Sequence, residues 1–570
     1  MANLIESAKT EAQALIEAAA KRAFEAGLLP EFAELTGSVQ QSRGGGNGDF
    51  AANHAMAFSK NLKLPKAELD AELLRIAAAI ADNLELKGSY FDSAAVAGKG
   101  FINFSLSDRW YGEVVSAIAS EGTDYGRVDI GGGERVMVEF VSANPTGPMT
   151  IGNARGGVLG DALASVFERA GYNVWREFYI NDVGNQVELF GQSVEARYMQ
   201  ILLGEDGFEF PENGYHGEDI KELARLIYER DGDKYRDWPE TQRRAEFIAF
   251  AIPYNIEQMR EHLKRYRIEY DCWFPESSLH ESGYVEDTIN LLTEAGYTYE
   301  KDGALWLRNT EFGADKDEVL RRSNGNYTYY APDIAYHRNK FVVRGFDRVI
   351  DVWGADHHGH AVRFKRTMSA PGLGLEGKQL DFLIMQMVRL HRGEETVKVS
   401  KRTGKALTLD SLLDEIGVDA CRFFFNAKPD SHLDFDLDLA IRQDNENPVY
   451  YVQYAHARIC SLIEMLASDG YSLPDEIDAA LLNTEYEREL IKQLAALPEE
   501  IRQAAQSLDP SRINRYVIEL ASRFHSFYTF CRIRGEETAL LNARLKLAAC
   551  VRTVIAASLD IVGVSAPVKM

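Results

Sequence analysis

The stretch that most constrains the fold is a strand-like run that leads through a glycine- and proline-rich turn into a helix-like run. ERVMVEFV is followed, two residues later, by NPTGPMTIGNARGG at 144 to 157 and then by VLGDALASVFERAG. Glycine lets a backbone approach a ligand closely, and the free amides at a helix N-terminus bind phosphate. The stretch therefore predicts a nucleotide-binding turn at the carboxyl end of a strand.

Strand-like runs alternate with helix-like runs along the middle of the chain. After RVMVEFV come NVWREFYI, DRVIDVW and FLIMQMVRL, each separated from the next by helical or loop-like sequence. This alternation is typical of a doubly wound, Rossmann-like α/β sheet of parallel strands, which binds ligands at the carboxyl ends of its strands. A charged segment at about 191 to 266 has almost no strand pattern, and we interpret it as a helical insertion.

The two flanks of this α/β region have different patterns. Residues 1 to 125 begin with a charged amphipathic helix and end in alternating runs such as GKGFINFSLS, which predicts an α+β domain. The glycines of GRVDIGGGERV predict a linker at the start of the α/β domain, which we place at 126 to 430. From about 445 the pattern is helical throughout, which predicts an all-α bundle that we place at 431 to 570.

The formal net charge of −24 on the 570 residues would, taken alone, disfavour a polyanionic partner. The distribution is uneven, because the chain from Arg502 onward holds ten Lys or Arg and five Asp or Glu. A basic helical end is compatible with RNA.

The sequence has no apolar run long enough for a membrane span, no secretion signal and no CxxC pair among its five cysteines. We therefore expect a cytoplasmic protein without disulfides or a structural zinc site.

A second candidate phosphate-binding element is VKVSKRTGKALTL at 397 to 409. It places Lys398, Lys401 and Arg402 around Ser400 and continues into a glycine turn. A basic loop of this kind can neutralise a polyphosphate in a transition state. Without other evidence, such a loop is more often a solvated surface segment, and a lone NPTGP turn is often a loop with no special role.

Together, in this order, the two elements resemble the HIGH and KMSKS motifs of class I aminoacyl-tRNA synthetases, with TIGN at 150 to 153 and KVSKR at 398 to 402. Longer stretches resemble arginyl-tRNA synthetases over nearly the whole chain. They are EFVSANPTGP, NDVGNQ, WFPESSLHESG, YTYYAPDIAYH, GADHHGH, FFFNAKPDSHLDFDLDLA and NENPVYYVQYAHARI. The resemblance implies a class I catalytic domain between an N-terminal tRNA-contacting domain and a C-terminal anticodon-binding bundle.

The resemblance also implies an arginine pocket. Its side-chain positions map onto Glu276, Tyr329, Asp333 and Asp356, and the positions for the ammonium and carboxylate onto Glu139, Ser142 and Asn144. Three acids and a phenol suit a guanidinium, which offers five donors in a plane and no acceptor. Any one of these acids alone is more often a surface charge or a helix cap.

For ATP, the resemblance implies a site that comprises Gly147, Pro148, Thr150, Gly152, Asn153, Lys398, Ser400 and Lys401. Lys401 is the expected main cation on the triphosphate, Lys398 assists it, and Thr150 and Asn153 stand where the motif usually has histidines. Both can donate hydrogen bonds without an ionisable ring. We expect ATP to bring Mg²⁺, held mainly by phosphates and water. The imidazoles of HHGH at 357 to 360 could bind zinc, but no matching ligand set surrounds them.

For tRNA, the resemblance implies contacts to the elbow and to the anticodon. The elbow positions are Phe101 and Asn103, and the anticodon positions are Tyr451, Tyr454, Tyr528 and Met570. Aromatic rings that stack bases, beside Arg512, Arg515, Arg532 and Arg534, would make a platform for single-stranded RNA. A buried ring in the core is the alternative for each aromatic residue. The family expectation is a monomer.

Three hypotheses for the activity remain at this point. The leading one is an arginyl-tRNA synthetase that activates L-arginine with ATP and transfers it to the terminal ribose of tRNA(Arg). The lost histidines motivate a second, a non-catalytic tRNA-binding paralogue, against which Lys401 and the pocket acids argue. A third is a class I synthetase for another amino acid. Lysine as the substrate would leave part of a fork-shaped site unpaired, and a cysteine-specific enzyme would need cysteine thiolates that bind zinc, which are absent from this sequence. The resemblance also implies that activation needs bound tRNA.

Overall fold

The computed structural model describes residues 3–30, 35–42, 48–58, 62, 64–393, 395–397, 407–427 and 429–570. The N-terminal part is an α+β unit, in agreement with the sequence. Its strands pair antiparallel in the order β1-β2-β4-β3, with the helices packed against them. The elements are α1 (Leu4–Glu25), β1 (Val39–Gln41), β2 (Phe50–Ala52), α2 (His54–Ala57), α3 (Lys66–Ala81), β3 (Phe91–Ala97), β4 (Phe101–Leu106) and α4 (Asp108–Glu121).

The central part contains a parallel sheet in the order β12-β11-β5-β6-β7, as the alternation of runs predicted. Its strands are β5 (Arg135–Glu139), β6 (Asn173–Ile180), β7 (Cys272–Pro275), β11 (Arg348–Gly354) and β12 (Gln379–Met385). The run FLIMQMVRL is divided between β12 and a strand of another small sheet. The helices among these strands are α5 (Ile151–Arg169), α9 (Ser277–Glu281), α10 (Tyr284–Glu294), α11 (Tyr330–Arg338) and α12 (His358–Thr367).

Three smaller units accompany this sheet. Between β6 and β7 lie α6 (Asn185–Leu203), α7 (Glu218–Asp231) and α8 (Glu240–Arg265), where the sequence predicted a helical insertion. An antiparallel sheet that the sequence did not predict consists of β8 (Thr298–Lys301), β9 (Ala304–Leu307) and β10 (Glu318–Arg321). After β12 come β13 (Val388–Arg392), β14 (Glu395–Thr396), α13 (Leu409–Ile416), α14 (Val418–Phe425), β15 (Leu433–Asp436) and α15 (Leu437–Ile441).

The C-terminal part is helical, as predicted. It comprises α16 (Pro448–Ser468), α17 (Glu485–Ala495), α18 (Leu497–Ser507), α19 (Ser511–Phe530) and α20 (Thr538–Ile561). Lys492 on α17 pairs with Asp49 at 2.9 Å, and Arg488 pairs with Asp108 at 2.7 Å, so the bundle contacts the N-terminal unit directly. None of the described helices has both the length and the apolar character needed to cross a membrane.

Helix α5 is held unusually close to the parallel sheet. Gly160 faces the ring of Phe140, and a Cβ at Gly160 would lie 2.2 Å from that ring. Glycine is therefore required where the helix and the strand end approach each other. This close packing places the N-terminus of α5 at the carboxyl edge of the sheet, where the sequence predicted a ligand.

Candidate active site and nucleic-acid interface

The loop after β5 has a strained backbone. Val141 and Ser142 have φ angles of 69° and 41°, and the N–H of Ser142 donates to the carbonyl of Phe140 at 3.0 Å. A γ-turn with positive φ at a β-branched residue is rare, and such strain occurs most often at functional sites. The Ser142 hydroxyl donates to Glu139 Oε1 at 2.9 Å and accepts the N–H of Tyr179 at 3.1 Å. The turn thus fixes Ser142 beside Glu139.

Three carboxylates lie side by side beneath this loop on neighbouring parallel strands. Asp351 on β11 is in register with Glu139 on β5, and Glu139 is in register with Glu177 on β6. Residues in register on parallel strands project from the same face of the sheet. Asp351 and Glu177 are fully buried, and Glu139 is 6% exposed. We call these three side chains the carboxylate row.

Cations from the segment after α11 pair with the carboxylate row. Lys340 Nζ lies 2.5 Å from Glu139 Oε2 and 2.9 Å from Asp351 Oδ1. Arg344 Nη1 lies 2.5 Å from Glu177 Oε2. Burial alone would raise the pKa of Asp351, but Lys340 and His337 outweigh it and lower that pKa to about 2. For Glu139, burial outweighs the attraction of Lys340 and raises the pKa.

Of the four residues predicted to bind the guanidinium, Tyr329 and Asp333 are linked through His360, and Glu276 lies near enough to Asp333 for their charges to interact. Glu276, 8% exposed, precedes α9 and accepts a hydrogen bond from the Tyr179 hydroxyl. His360 Nε2 lies 3.3 Å from Asp333 Oδ2, and the His360 ring is 5.5 Å from that of Tyr329. Burial is the main cause of the raised pKa of Glu276, and the charge of Asp333 adds to it. These acids therefore face one space and repel each other while no cation lies between them.

Asp356 does not join this group in the structure. It lies in a turn directly after β11, its side chain is 82% exposed, and it pairs with His357 at 3.6 Å. Asn144 is also exposed, and its amide donates to Gln186 in the first turn of α6. The predicted pocket is thus lined on one side by buried acids, whereas these two residues lie near solvent.

Helix α5 begins at Ile151 directly after the predicted turn, and Thr150 is its N-cap residue. The backbone N–H and the hydroxyl of Thr150 both lie 2.9 Å from Asn153 Oδ1, so they donate to it. The Asn153 Nδ2 donor has no partner among the described residues and remains available to a ligand. The neighbouring turn residues Gly147, Pro148 and Gly152 are all partly or fully exposed. They can therefore approach a phosphate.

The second motif meets the first at its downstream end. Thr408 forms an antiparallel bridge with Thr150, and the N–H of Leu409 donates to the carbonyl of Met149 at 3.0 Å. Lys398, Ser400 and Lys401 lie outside the described residues. Thr408, which follows Lys401 by seven residues in the sequence, therefore lies at the start of α5.

Replacing Thr150 by histidine is expected to change the rate of adenylate formation by no more than about fivefold, because a charge-assisted hydrogen bond is worth only about 1 kcal/mol more than a neutral one. The Asn153 amide supplies a donor without titrating. ATP–pyrophosphate exchange at saturating arginine and tRNA measures this rate. The pH profile of the unaltered protein should show no imidazole titration from this motif, and a large acceleration in Thr150→His would contradict the expectation.

The predicted anticodon contacts form an aromatic cluster between α16 and α19. The Tyr451 ring lies 4.8 Å and the Tyr454 ring 6.1 Å from that of His525. The Arg458 guanidinium lies 4.1 Å above the Tyr528 ring and 5.9 Å from that of Tyr454. We call these five residues the tyrosine cluster. Aromatic faces beside a cation form a surface that suits single-stranded RNA.

Two of the arginines that the sequence placed beside these tyrosines lie far from Tyr528. Arg512 and Arg515 lie in the first turns of α19, roughly 20–24 Å from Tyr528 along the helix. They pair with Glu500 and Asp509, and Arg534 pairs with Asp469. In the described part of the chain, by contrast, no carboxylate pairs with Arg458.

The other predicted tRNA contacts lie at the surface of their domains. Phe101 begins β4 and is 37% exposed, and Asn103 lies on the same strand, half-buried. Met570 is 53% exposed at the end of the chain. The segment before Met570 packs beside α16, because the carbonyl of Pro567 accepts a hydrogen bond from His456 Nδ1 on that helix at 2.8 Å. The end of the chain is thereby held near the tyrosine cluster.

Replacing Arg458 by glutamine is expected to raise the KM for tRNA about fivefold or more, because one stacked or charged contact to a base contributes about 1–3 kcal/mol. The KM values for arginine and ATP should not change. Aminoacylation at varied tRNA concentration measures all three. Arg512→Gln is the matched control, since Arg512 is already paired, and an equal effect in both variants would contradict a specific role for Arg458.

The sequence analysis missed one feature of the site and interpreted another differently. Lys340 and His337 are a buried lysine and histidine on one short segment, and only the register of the strands reveals the carboxylates opposite them. His360 was noticed as a metal candidate, whereas in the structure its ring stacks on Trp353 at 5.3 Å. Within the described ranges, no three His, Cys, Asp or Glu side chains converge as a metal site.

Comparison with known families accounts for almost the whole chain. Residues 10–106 match the arginyl-tRNA synthetase N-terminal domain, 114–436 the class I (R) tRNA synthetase catalytic domain, and 452–570 the DALR anticodon-binding domain. Together with the parallel sheet, these matches define a class I aminoacyl-tRNA synthetase. The chain belongs to the arginyl-tRNA synthetase family.

Individual relatives agree with this assignment. The chain is 49% identical to the arginine–tRNA ligase of Acetivibrio thermocellus and 52% identical to that of Caldanaerobacter subterraneus, in each case over 100% of both chains. The fold is similar to that of the arginyl-tRNA synthetases of Thermus thermophilus and Plasmodium falciparum. The Thermus thermophilus structure has a TM-score of 0.71 at 21% identity, with 98% of this chain and 100% of that chain covered. The Plasmodium falciparum structure has a TM-score of 0.70 at 16% identity, with 99% of each chain covered.

Proposed function

We infer that this chain activates L-arginine with ATP to arginyl-adenylate and transfers the arginyl group to the 3′ terminal ribose of tRNA(Arg). The observation that carries the proposal is the group of acids formed by buried Glu276, half-buried Asp333 and the carboxylate row at the carboxyl edge of the sheet. A cationic amino acid fits such a site, and the proposed phosphate-binding turn follows β5, the strand that carries Glu139.

For arginine, we propose that Glu276 and Asp333 pair with the guanidinium and that Tyr329 covers its plane. Glu139 faces the ammonium, with Ser142 and Asn144 beside the carboxylate. Asp356 reaches the guanidinium only if its turn moves, because its side chain now points to solvent. Burial of Glu276 supports its role, since a charged pair is stronger where water is excluded.

For ATP, we propose that the turn at Gly147, Pro148 and Gly152 and the start of α5 receive the phosphates, with Thr150 and Asn153 as capping and donor groups. Lys401 and Lys398 supply positive charge from the second motif, beside Ser400. Mg²⁺ accompanies ATP and is held mainly by phosphate oxygens and water. The bridge between Thr408 and Thr150 supports the approach of these lysines to the triphosphate.

Neither chemical step needs a protein nucleophile. The arginine carboxylate attacks the α-phosphate and pyrophosphate leaves, which gives arginyl-adenylate. A terminal ribose hydroxyl of tRNA then attacks the carbonyl carbon, and AMP leaves. The residues above accelerate these steps by alignment and by stabilising the charge that develops on phosphate oxygens.

For tRNA, we propose that Phe101 and Asn103 contact the elbow and that Tyr451, Tyr454, Tyr528 and Met570 contact the anticodon. The domain boundaries that go with these roles are 1–125, 126–430 and 431–570. We propose that the protein acts as a monomer in the cytoplasm. The cation of the tyrosine cluster, Arg458, is half-buried and pairs with no carboxylate of the described residues, which supports an RNA partner for the last domain.

The test is charging of total tRNA by the purified protein with ATP, Mg²⁺ and each labelled amino acid in turn. Attachment of arginine alone is the expected result, and omission of tRNA from ATP–pyrophosphate exchange then shows whether activation requires it. Attachment of another amino acid would overturn the pocket assignment. Binding of tRNA without attachment of any amino acid would favour a non-catalytic paralogue.

A further inference from the structure

The three members of the carboxylate row are not equally compensated. Asp351 accepts from Lys340 on one oxygen and from His337, at 2.7 Å, on the other. Glu177 accepts from Arg344 and Trp175 on one oxygen and from the Tyr336 hydroxyl, at 2.6 Å, on the other. Glu139 accepts a hydrogen bond from Lys340, which also donates to Asp351, and one from a neutral donor, the Ser142 hydroxyl.

Glu139 also differs from its neighbours in access. It is 6% exposed, whereas Asp351 and Glu177 are fully buried. A carboxylate can accept about four hydrogen bonds, and two are recorded for Glu139 among the described residues. The least compensated carboxylate of the row is therefore the one that a further cation can reach.

The position of Lys340 depends on an unusual backbone. The segment Asn339–Val343 is a π-helical turn, in which the N–H of Arg344 donates to the carbonyl of Asn339 at 3.0 Å. Such turns are rare and frequent at functional sites. This turn directs Lys340 and Arg344 to the carboxylate row. Tyr329 and Asp333 lie at the opposite, N-terminal end of the preceding helix α11.

We propose that Lys340 is a positioning residue that keeps Glu139 ionised and oriented to accept the α-ammonium of arginine. The proposal rests on the proposed role of Glu139 in arginine binding. Lys340 joins Glu139 to Asp351, so that two neighbouring acids share one cation instead of repelling each other. Burial raises the pKa of Glu139 and Lys340 opposes that shift, which is consistent with this role.

The readout is the preference for arginine over guanidinovalerate, the analogue that lacks only the α-ammonium. Both dissociation constants are measured by equilibrium binding to the full chain in the presence of tRNA. Lys340→Met is expected to reduce the preference about tenfold to a hundredfold, the contribution of a hydrogen bond to a charged group. Affinity for guanidinovalerate itself should change little. A merely structural role would weaken both ligands alike.

The double variant Lys340→Met with Asp351→Asn tests the electrostatic part of the proposal. It removes the acid that repels Glu139 once Lys340 is gone, so part of the preference should return. Arg544→Met is the matched control for loss of a buried cation, because Arg544 pairs with buried Glu487 at 2.7 Å in the C-terminal bundle. This control should keep the preference for arginine over its analogue. If Lys340→Met does not fold, Lys340→Gln takes its place.

Glu139→Gln separates failure of this inference from failure of the proposed function. If Glu139→Gln keeps the full preference for arginine, the ammonium site is elsewhere and the proposed role of Glu139 fails with it. If Glu139→Gln loses the preference but Lys340→Met retains it, only the role of Lys340 is overturned. If the double variant does not prefer arginine over guanidinovalerate more strongly than Lys340→Met does, the electrostatic role is also overturned.

Discussion

Replacing Glu276 by glutamine is expected to raise the KM for arginine at least about thirtyfold, because removing one partner of a buried, hydrogen-bonded charge pair costs about 2–5 kcal/mol. Glu276 is 8% exposed and is oriented by Tyr179. Glutamine would keep the shape, but its amide group would present donors to a guanidinium that has only donors. The KM for ATP should change little. Aminoacylation at varied arginine concentration is the measurement.

The control for this variant is Glu281→Gln, which removes an exposed charge from the end of the same short helix. It should leave the KM for arginine unchanged, and an equal increase in both variants would contradict a direct role for Glu276. The pH dependence provides a second check. Since burial raises the pKa of Glu276, the group loses its charge as the pH falls, and the KM for arginine should rise toward acid pH. Glu276→Gln should show a smaller rise, because Glu139, whose pKa is also raised by burial, still loses its charge.

Local sequence was sufficient to predict the frame of the catalytic domain. Buried parallel strands give short apolar runs, and the turn before α5 needs glycine and proline, so both can be recognised without tertiary contacts. The parallel sheet, the helix N-cap at Thr150 and the helical C-terminal part were predicted in this way. The antiparallel sheet β8-β9-β10 was missed, because four-residue strands carry too little alternation to be distinguished from loops.

The chemistry of the site depended on contacts that local patterns do not contain. Glu139, Glu177 and Asp351 become neighbours only through the register of β5, β6 and β11. In the sequence, nothing distinguishes Lys340 from other charged residues. Its role becomes visible only in the structure, where the π-helical turn places it opposite these carboxylates. The pocket acids were predicted from the family resemblance, and their spacing alone does not bring them together.

The interpretation of the arginines in the C-terminal bundle shows the same limit. Counting basic residues predicted a positive helical end, but the count does not show which charges are already neutralised. Arg512, Arg515 and Arg534 are paired with acids, whereas Arg458, which the sequence analysis did not single out, lies over Tyr528. A cation available to RNA could be identified only from side-chain contacts.

Replacing Arg422 by methionine is expected to lower the free energy of unfolding by about 3–5 kcal/mol, since it leaves a buried acid and backbone carbonyls without their donor. Arg422 on α14 is fully buried and pairs with Asp161 on α5. It also donates at 2.9–3.1 Å to three carbonyls, those of Tyr266, Arg267 and Val562. Urea unfolding followed by tryptophan fluorescence measures the change.

These partners explain why the effect should reach beyond stability. Asp161 belongs to the helix that begins at Ile151, Tyr266 ends the helical insertion, and Val562 follows the last helix of the anticodon bundle. Arg422 therefore fastens three parts of the protein to one another. In Arg422→Met the bundle should unfold at lower urea than the catalytic domain, so that the transition broadens or splits. Arg267→Gln, which removes a half-exposed pair with Asp419, should cost less than about 1 kcal/mol.

Gly563 offers an independent route to the same contact. A Cβ at Gly563 would lie 2.2 Å from the Arg422 guanidinium, and its φ of 66° already favours glycine. Gly563→Ala should therefore displace Arg422 and destabilise the protein in the same way. Because the clash disappears once Arg422 is replaced, the two changes together should cost less than the sum of the single changes. Additive costs would show that Gly563 acts through its backbone alone and that Arg422 can retain its partners beside a methyl group.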